Sequence, residues 1–161
     1  MRLNSMNKDD LNNNIEFWIN NSVPKIHNAN IKKIFINENV SKISELENFI
    51  FETSFFDFIV DFTVLVEVNE KYYIGLIQKF TSAISLKDIG IAQVYARLAA
   101  PLFYYLISPK GFSKEASFLF GNDDVCLNML SYEDKYIVGC KIKDNAEIDS
   151  DSVLPLGKKL L

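Results

Sequence analysis

The sequence has few of the residues from which common catalytic and metal sites are built. Its 161 residues include one histidine and two cysteines. His27 leaves no histidine-dependent triad or proton relay to propose, and its polar surroundings predict a solvent-facing loop. Cys126 and Cys140 lie in apolar, strand-like runs with no cysteine or histidine nearby. This spacing argues against a zinc-type cluster and predicts buried, reduced thiols.

Several other sequence patterns are missing. No apolar run approaches the roughly 20 residues that a membrane span needs, and no apolar leader follows the N-terminal methionine. There is no glycine-rich phosphate loop, no aromatic RNA-binding signature and no internal repeat. We therefore expect a cytoplasmic protein that has no membrane partner.

A positive net charge is also absent, since 17 lysines and arginines stand against 21 acidic residues for a formal charge of −4. A protein that coats DNA without sequence preference would usually be basic. A local basic patch remains open as a phosphate-docking site, and a solvated mixed-charge surface is the alternative for each of its members. The candidate cations are Lys32, Lys33, Lys79, Lys87, Arg97, Lys110, Lys158 and Lys159.

Composition and patterning predict a single α/β domain. Apolar residues form 48% of the chain and aromatic residues 13%, which is enough for a sizeable core at this length. We divide the chain into an N-terminal helix and short strand (1–40), a central core (41–143) and a C-terminal tail (144–161) that begins as loop. Mixed β-sheet flanked by helices is the natural packing for this order of elements.

Caps and apolar spacing place the predicted elements. The first helix follows Asp9 or Asp10, stops before Pro24, and buries Leu11, Ile15, Trp18 and Ile19. Further helices are predicted over 41–51, 85–100 and 113–120, and strands over 31–37, 102–108, 125–130 and 136–142. The helix that begins at Ser85 is expected to bury Leu86, Ile89, Val94 and Leu98.

A long hairpin is the clearest local pattern. Residues 57–68 alternate, residues 69–70 turn the chain, and residues 71–80 return. Because side chains alternate along a strand, Asp57 and Asp61 should project together from the face opposite the aromatic and branched residues. On the returning strand, Ile77 and Lys79 share a face.

The order of elements resembles the restriction-endonuclease-like, or PD-(D/E)XK, nuclease superfamily. Three segments carry the resemblance within about 41–130: the acid-bearing strand 56–61 followed by a strand ending in Gln78-Lys79, the helix segment 92–98 with Gln93, and the strand-turn-helix 106–116. The resemblance implies a core of order α-β-β-α-β-α-β. It also implies an active site that binds Mg²⁺ and hydrolyses the phosphodiester bonds of DNA.

The resemblance further implies roles for particular residues. Asp61 would be the main metal ligand with Asp57 second, and Lys79 would orient water and offset phosphate charge. An ordinary strand acid and a strand-end lysine are the alternatives. Gln93, Arg97 and Lys110 would contact substrate, although relatives often carry tyrosine where this chain has Arg97.

One position departs from the family pattern. The family's second acid sits two residues before the lysine, and here that residue is Ile77, which cannot bind a metal. Gln78 could supply an oxygen if a bulge reversed its side, and otherwise it is a polar edge residue. The acids that could replace the missing ligand, each with a plain surface or capping role as its alternative, are Glu67, Asp88, Glu45, Glu47 and Glu52.

Two functions follow. The first is a Mg²⁺-dependent endonuclease acting on DNA, which at this length would work as a homodimer. The second is a catalytically inactive subunit on the same scaffold, or a module that binds nucleic acid or protein. Ile77 and the acidic charge favour the second, whereas the spacing of Asp61 and Lys79 favours the first.

Overall fold

The fold is organised around the predicted hairpin, in a computed structural model that describes residues 7–49 and 52–155. The elements are α1 (Lys8–His27), β1 (Asn30–Ile36), two 3-10 turns (Val40–Lys42 and Ser44–Asn48), β2 (Phe62–Val68), β3 (Lys71–Lys79), α2 (Leu86–Ala99), β4 (Phe103–Ser108), α3 (Lys114–Phe120), α4 (Asp123–Leu130), β5 (Ser131–Tyr132), β6 (Lys135–Ile142) and β7 (Ile148–Leu154). The candidate cations Lys158 and Lys159 lie outside the described residues.

Seven strands in the described residues form one mixed sheet in the order β1-β2-β3-β4-β6-β5, and β7 pairs with β6 as well. β1, β2 and β3 form an antiparallel meander. β3, β4 and β6 run parallel, so their carboxyl ends meet at one edge together with the amino end of β2. The chain is thus an α/β protein with helices on both faces of a mixed sheet.

Each face of the sheet carries its own core. On one face, α2, α3, α4 and the segment before β2 cover Leu65, Leu76, Tyr104 and Leu106, and we call this the α2-side core. On the other face, α1 alone covers the α1-side core, whose strand residues include Phe62, Val64, Ile77, Tyr105 and Ile107. Strands that are buried on both faces read as continuous apolar runs, as the sequence of β4 does.

The first helix keeps its predicted apolar face and extends further than predicted. Leu11, Ile15, Trp18 and Ile19 are buried. The cap is Asn7, whose side chain accepts from two backbone N–H groups, so the prediction of Asp9 or Asp10 was wrong. The helix also continues through Pro24 to His27. Packing of the whole face against the sheet offsets the single hydrogen bond that proline removes.

Two local predictions fail because short apolar runs carry ambiguous periodicity. Residues 125–130 form most of α4 rather than a strand, since Asn122 caps a helix that buries Cys126 and Leu130 one turn apart. Residues 41–48 form 3-10 turns rather than a regular helix, and the last two residues of that predicted helix, 50 and 51, lie outside the described residues. Both segments nevertheless pack on the α2-side core.

Three other predictions were wrong, and they concern the start of β2, the segment after Lys143 and the buried face of α2. Residues 57–61 precede β2 and are not part of it, so strand alternation does not govern Asp57 and Asp61. The predicted loop after Lys143 contains β7, which pairs antiparallel with β6. On α2, Val94 and Leu98 face outward, whereas Ile89, Ala92 and Ala96 are buried.

Candidate functional site

Asp61 and Lys79 are brought together at the edge where the parallel strands end. Phe62 pairs with Ile77 in the hairpin register, which places Asp61 beside the end of β3. The backbone N–H of Lys79 donates to Asp61 Oδ2 at 2.8 Å, and the Lys79 ammonium lies 4.0 Å from Asp61 Oδ1. Carboxyl ends of parallel strands are the usual position of ligand sites in α/β sheets.

The first turns of α1 close over this pair. The Lys79 ammonium donates to Asn12 Oδ1, and only 5% of the Lys79 side chain is exposed, against 25% for Asp61. Asn12 follows Leu11, which is anchored in the α1-side core. The sequence analysis did not identify Asn12, and no local signal could have done so, because the contact joins residues 67 positions apart.

Burial opposes both charges of the pair. Burial raises the pKa of Asp61, while the Lys79 N–H and ammonium act in the opposite direction. Burial lowers the pKa of Lys79, and the Asp61 carboxylate opposes that change. The opposite charge of each group therefore offsets part of the cost of burying the other.

The residues present do not fit a magnesium site. Mg²⁺ needs several oxygen ligands in near-octahedral geometry, yet one Asp61 oxygen accepts an N–H and the other faces an ammonium. Ile77 is fully buried in the α1-side core. Within residues 7–49 and 52–155, no three acidic, histidine or cysteine side chains are grouped closely enough to hold a metal ion.

The other predicted ligands have partners of their own. Asp57 is exposed and accepts a hydrogen bond of 2.8 Å from the Asn39 side chain. Glu67 forms an ion pair with Lys32 towards the far end of β2, six residues or about 20 Å of strand from Asp61. The structure therefore does not bring these three carboxylates into one cluster.

The candidate substitutes for the missing acid are each engaged elsewhere or lie on other surfaces. Asp88 forms the capping box of α2 with Ser85. Glu45 pairs with Lys33, Glu47 is exposed in the second 3-10 turn, and Glu52 accepts from Ser54. None of these contacts directs a second carboxylate towards Asp61.

The two candidate glutamines have structural partners. Gln78 points to the α2-side core, where its Oε1 accepts 2.7 Å from the Tyr104 hydroxyl. Gln93 donates to the carbonyl of Met129, which ties α2 to the end of α4. Its Oε1 is buried and has no hydrogen-bond partner among the described residues.

The two remaining substrate-binding candidates are separated. Lys110 is exposed in the turn after β4, at the same edge of the sheet as Lys79. Arg97 is exposed on the outer surface of α2. The predicted basic patch thus loses Arg97 and keeps Lys110 near the pair of Asp61 and Lys79.

His27 is a half-buried residue at the end of α1, and its prediction as a solvent-facing loop residue was wrong. Its Nε2 lies 2.7 Å from the Tyr105 hydroxyl, and its ring stacks on Phe103 with centroids 4.6 Å apart. Burial lowers its pKa to about 4. It lines a cleft of about 270 Å³ at the amino ends of β4 and β6, which is the edge opposite to Lys79.

The predicted burial of the cysteines is confirmed, since Cys126 and Cys140 are both buried, and neither forms a disulfide within the described residues. Among the described residues no helix has the length and apolar character to cross a membrane.

Comparison with protein-family models, curated proteins and solved structures gives no match for this chain.

Proposed function

We propose that this chain is a nuclease-type scaffold that acts as a non-catalytic, protein-binding subunit. The observation that carries the proposal is the closed pair at the sheet edge. The Asp61 carboxylate accepts from the last backbone N–H of β3, and the Lys79 ammonium donates to Asn12 and is nearly buried. A lysine that offsets phosphate charge has to reach the phosphate, and this one is held against the protein's own groups.

Charge supports a protein partner over nucleic acid. The net charge of −4 gives phosphate no long-range attraction. The exposed cations Lys110 and Arg97 lie on a sheet edge and on an outer helix face, so they do not form one phosphate-tracking surface.

A Mg²⁺-dependent endonuclease is the second candidate, favoured by the proximity of Asp61 and Lys79 where the parallel strands end. In that case Asp61 would have to leave the N–H and ammonium of Lys79 in order to hold an ion, and Lys110 at the same edge would contact the DNA backbone. The ion would supply a Lewis acid and an activated water. The homodimer expected for cutting two strands belongs to this candidate.

A cleavage assay separates the two candidates. The protein is incubated with linear, single-stranded and branched DNA in Mg²⁺ or Mn²⁺, beside Asp61→Asn and Lys79→Met variants. We expect no cleavage above the level of the variants and no rise in melting temperature when Mg²⁺ is added. Wild-type cleavage that both substitutions abolish would overturn the non-catalytic proposal.

An Ile77→Glu variant is the matched gain-of-ligand control. If the strands have nuclease-type geometry, the new carboxylate shares the face of Lys79. The melting temperature of the variant should then rise with Mn²⁺ while that of wild type does not. A folded variant without any Mn²⁺ response would count against the nuclease-type scaffold and leave the cleavage result standing.

A further inference from the structure

α2 exposes three apolar side chains on the side that faces away from the sheet. Its buried face is formed by Ile89, Ala92 and Ala96. Facing solvent are Ile91, Val94 and Leu98, with 36%, 55% and 51% of their surfaces exposed. Contiguous exposed apolar side chains mark surfaces at which partners bind.

The exposed side chains form a continuous stripe, which we call the outer α2 stripe (Ile91, Val94 and Leu98). Their i, i+3, i+7 spacing aligns them along about two turns, or roughly 10 Å of helix. The stripe is held in place from below, because Tyr95 stacks on Phe58 with ring centroids 4.2 Å apart. It is therefore a rigid apolar surface of the size that a short amphipathic helix covers.

The exposed charged residues of α2 beside the stripe are positive. Lys87 and Arg97 are exposed on the same helix, and the helix's acidic residue, Asp88, is engaged in the capping box. In the part of the chain that the structure describes, neither Lys87 nor Arg97 takes part in a salt bridge. Two unneutralised cations flank an apolar surface.

We propose that the outer α2 stripe docks an acidic amphipathic segment of another protein, with apolar side chains on the stripe and carboxylates on Lys87 and Arg97. This inference rests on the proposed binding function and names its surface and the chemistry of its partner. A second copy is a poorer match, since a pair of these helices would present the same two cations and no carboxylate.

Synthetic helical peptides test the proposal. One peptide carries leucines at i, i+3, i+7 flanked by glutamates, and a matched peptide carries lysine at each glutamate position. We expect fluorescence anisotropy to show binding of the acidic peptide about tenfold tighter than that of the basic one. Equal affinities, or no binding of the acidic peptide, would overturn the proposal.

Two double variants, with a control at Phe118, test whether the peptide binds to the outer α2 stripe. Val94→Gln with Leu98→Gln should weaken acidic-peptide binding on the order of a hundredfold, because two apolar contacts are lost. Lys87→Glu with Arg97→Glu should invert the preference towards the basic peptide. Phe118→Gln removes another exposed apolar side chain, on α3 and 84% exposed, and should change neither affinity.

Other occupants give distinct results. A wild-type dimer in sedimentation equilibrium that the Val94/Leu98 variant converts to monomer would assign the stripe to a second copy and overturn the proposal. Stripe-dependent binding to vesicles containing anionic lipid would overturn it in favour of a membrane surface. Asp61-dependent DNA cleavage together with intact peptide binding would refute the non-catalytic function alone.

Discussion

Phe103 crosses directly over Gly75, its partner in the parallel pairing of β3 with β4. A Cβ on residue 75 would lie 1.9 Å from the Phe103 ring. The ring is 3% exposed and stacks against His27, so it has no space into which to move. The absence of a side chain at Gly75 therefore lets the aromatic cluster under the end of α1 form.

Gly75→Ala should lower the free energy of unfolding by about 1–3 kcal/mol, because the methyl group overpacks the α1-side core. Urea denaturation with circular dichroism measures this change. Gly90→Ala is the matched control, since a Cβ there meets nothing within 4 Å and the site is inside a helix. The control should raise stability by about 0.5–1 kcal/mol. A neutral result at residue 75 would contradict the packing described.

At the scale of a residue, some contacts of Asp61 and Lys79 can be predicted from the local sequence and others cannot. Hairpin register follows from the turn and from alternation, so the meeting of these two residues was predictable. The family resemblance also pointed to Ile77 as the position at which this chain lacks the expected second acid. Two contacts of α1 were not predictable in this way: Asn12 with Lys79, 67 residues apart in the sequence, and His27 with Tyr105, 78 residues apart. Both depend on the position that α1 takes on the sheet.

At the scale of elements, α2 begins after Ser85, as the sequence predicts. The Ser85 hydroxyl oxygen accepts from the Asp88 backbone N–H at 3.3 Å, and the Asp88 carboxylate accepts from the Ser85 backbone N–H at 2.8 Å. A reciprocal cap of this kind satisfies two N–H groups that the helix cannot satisfy itself. It also fixes the first turn of the helix that carries the outer α2 stripe.

Ser85→Ala should lower stability by about 1 kcal/mol, the usual loss for an N-cap serine. Thermal and urea unfolding measure the change. Ser117→Ala, at an exposed position within α3, is the control and should stay within about 0.5 kcal/mol of wild type. Equal effects of the two substitutions would show that the capping box contributes nothing.

The hairpin, α2 and the apolar strand β4 were predicted with the right type, whereas the short segments 41–51 and 125–130 were not. The hairpin and α2 each have a turn or cap that admits one reading. In α4, the run from Val125 to Leu130 fits both periods, and contact with the α2-side core decides for the helix. On α2, Ile89 is buried as predicted, whereas Val94 and Leu98 were misassigned because alanines occupy the positions that approach the sheet closely.

At the scale of the whole molecule, acid should loosen the attachment of α1. Burial lowers the pKa of His27 from 6.5 to about 4, so the unfolded chain takes up a proton before the folded one does. Stability is full above the unfolded pKa and falls as the pH drops from 6.5 to about 4. Because His27 is partly solvated, we expect a loss on the order of 1–2 kcal/mol.

Urea denaturation at neutral pH and near the lower end of that range tests this expectation against His27→Gln, which keeps a hydrogen-bonding side chain beside Tyr105 and cannot be protonated. The stability difference between wild type and variant should shrink as the pH falls. Asp61 works in the opposite direction, since its raised pKa favours the protonated form, and it is common to both proteins. A difference that is constant with pH would rule out His27 as the responsible group.

α1 is held by a polar contact near each end, Asn12 with Lys79 and His27 with Tyr105. The fifteen intervening steps span about 22 Å of helix, and each residue turns the helix by about 100°. Inserting or deleting one residue between the two contacts would therefore rotate one polar group off the sheet while the other stayed in place. The sheet fixes the length of α1 between these residues, while the solvent-facing positions along it remain free to change.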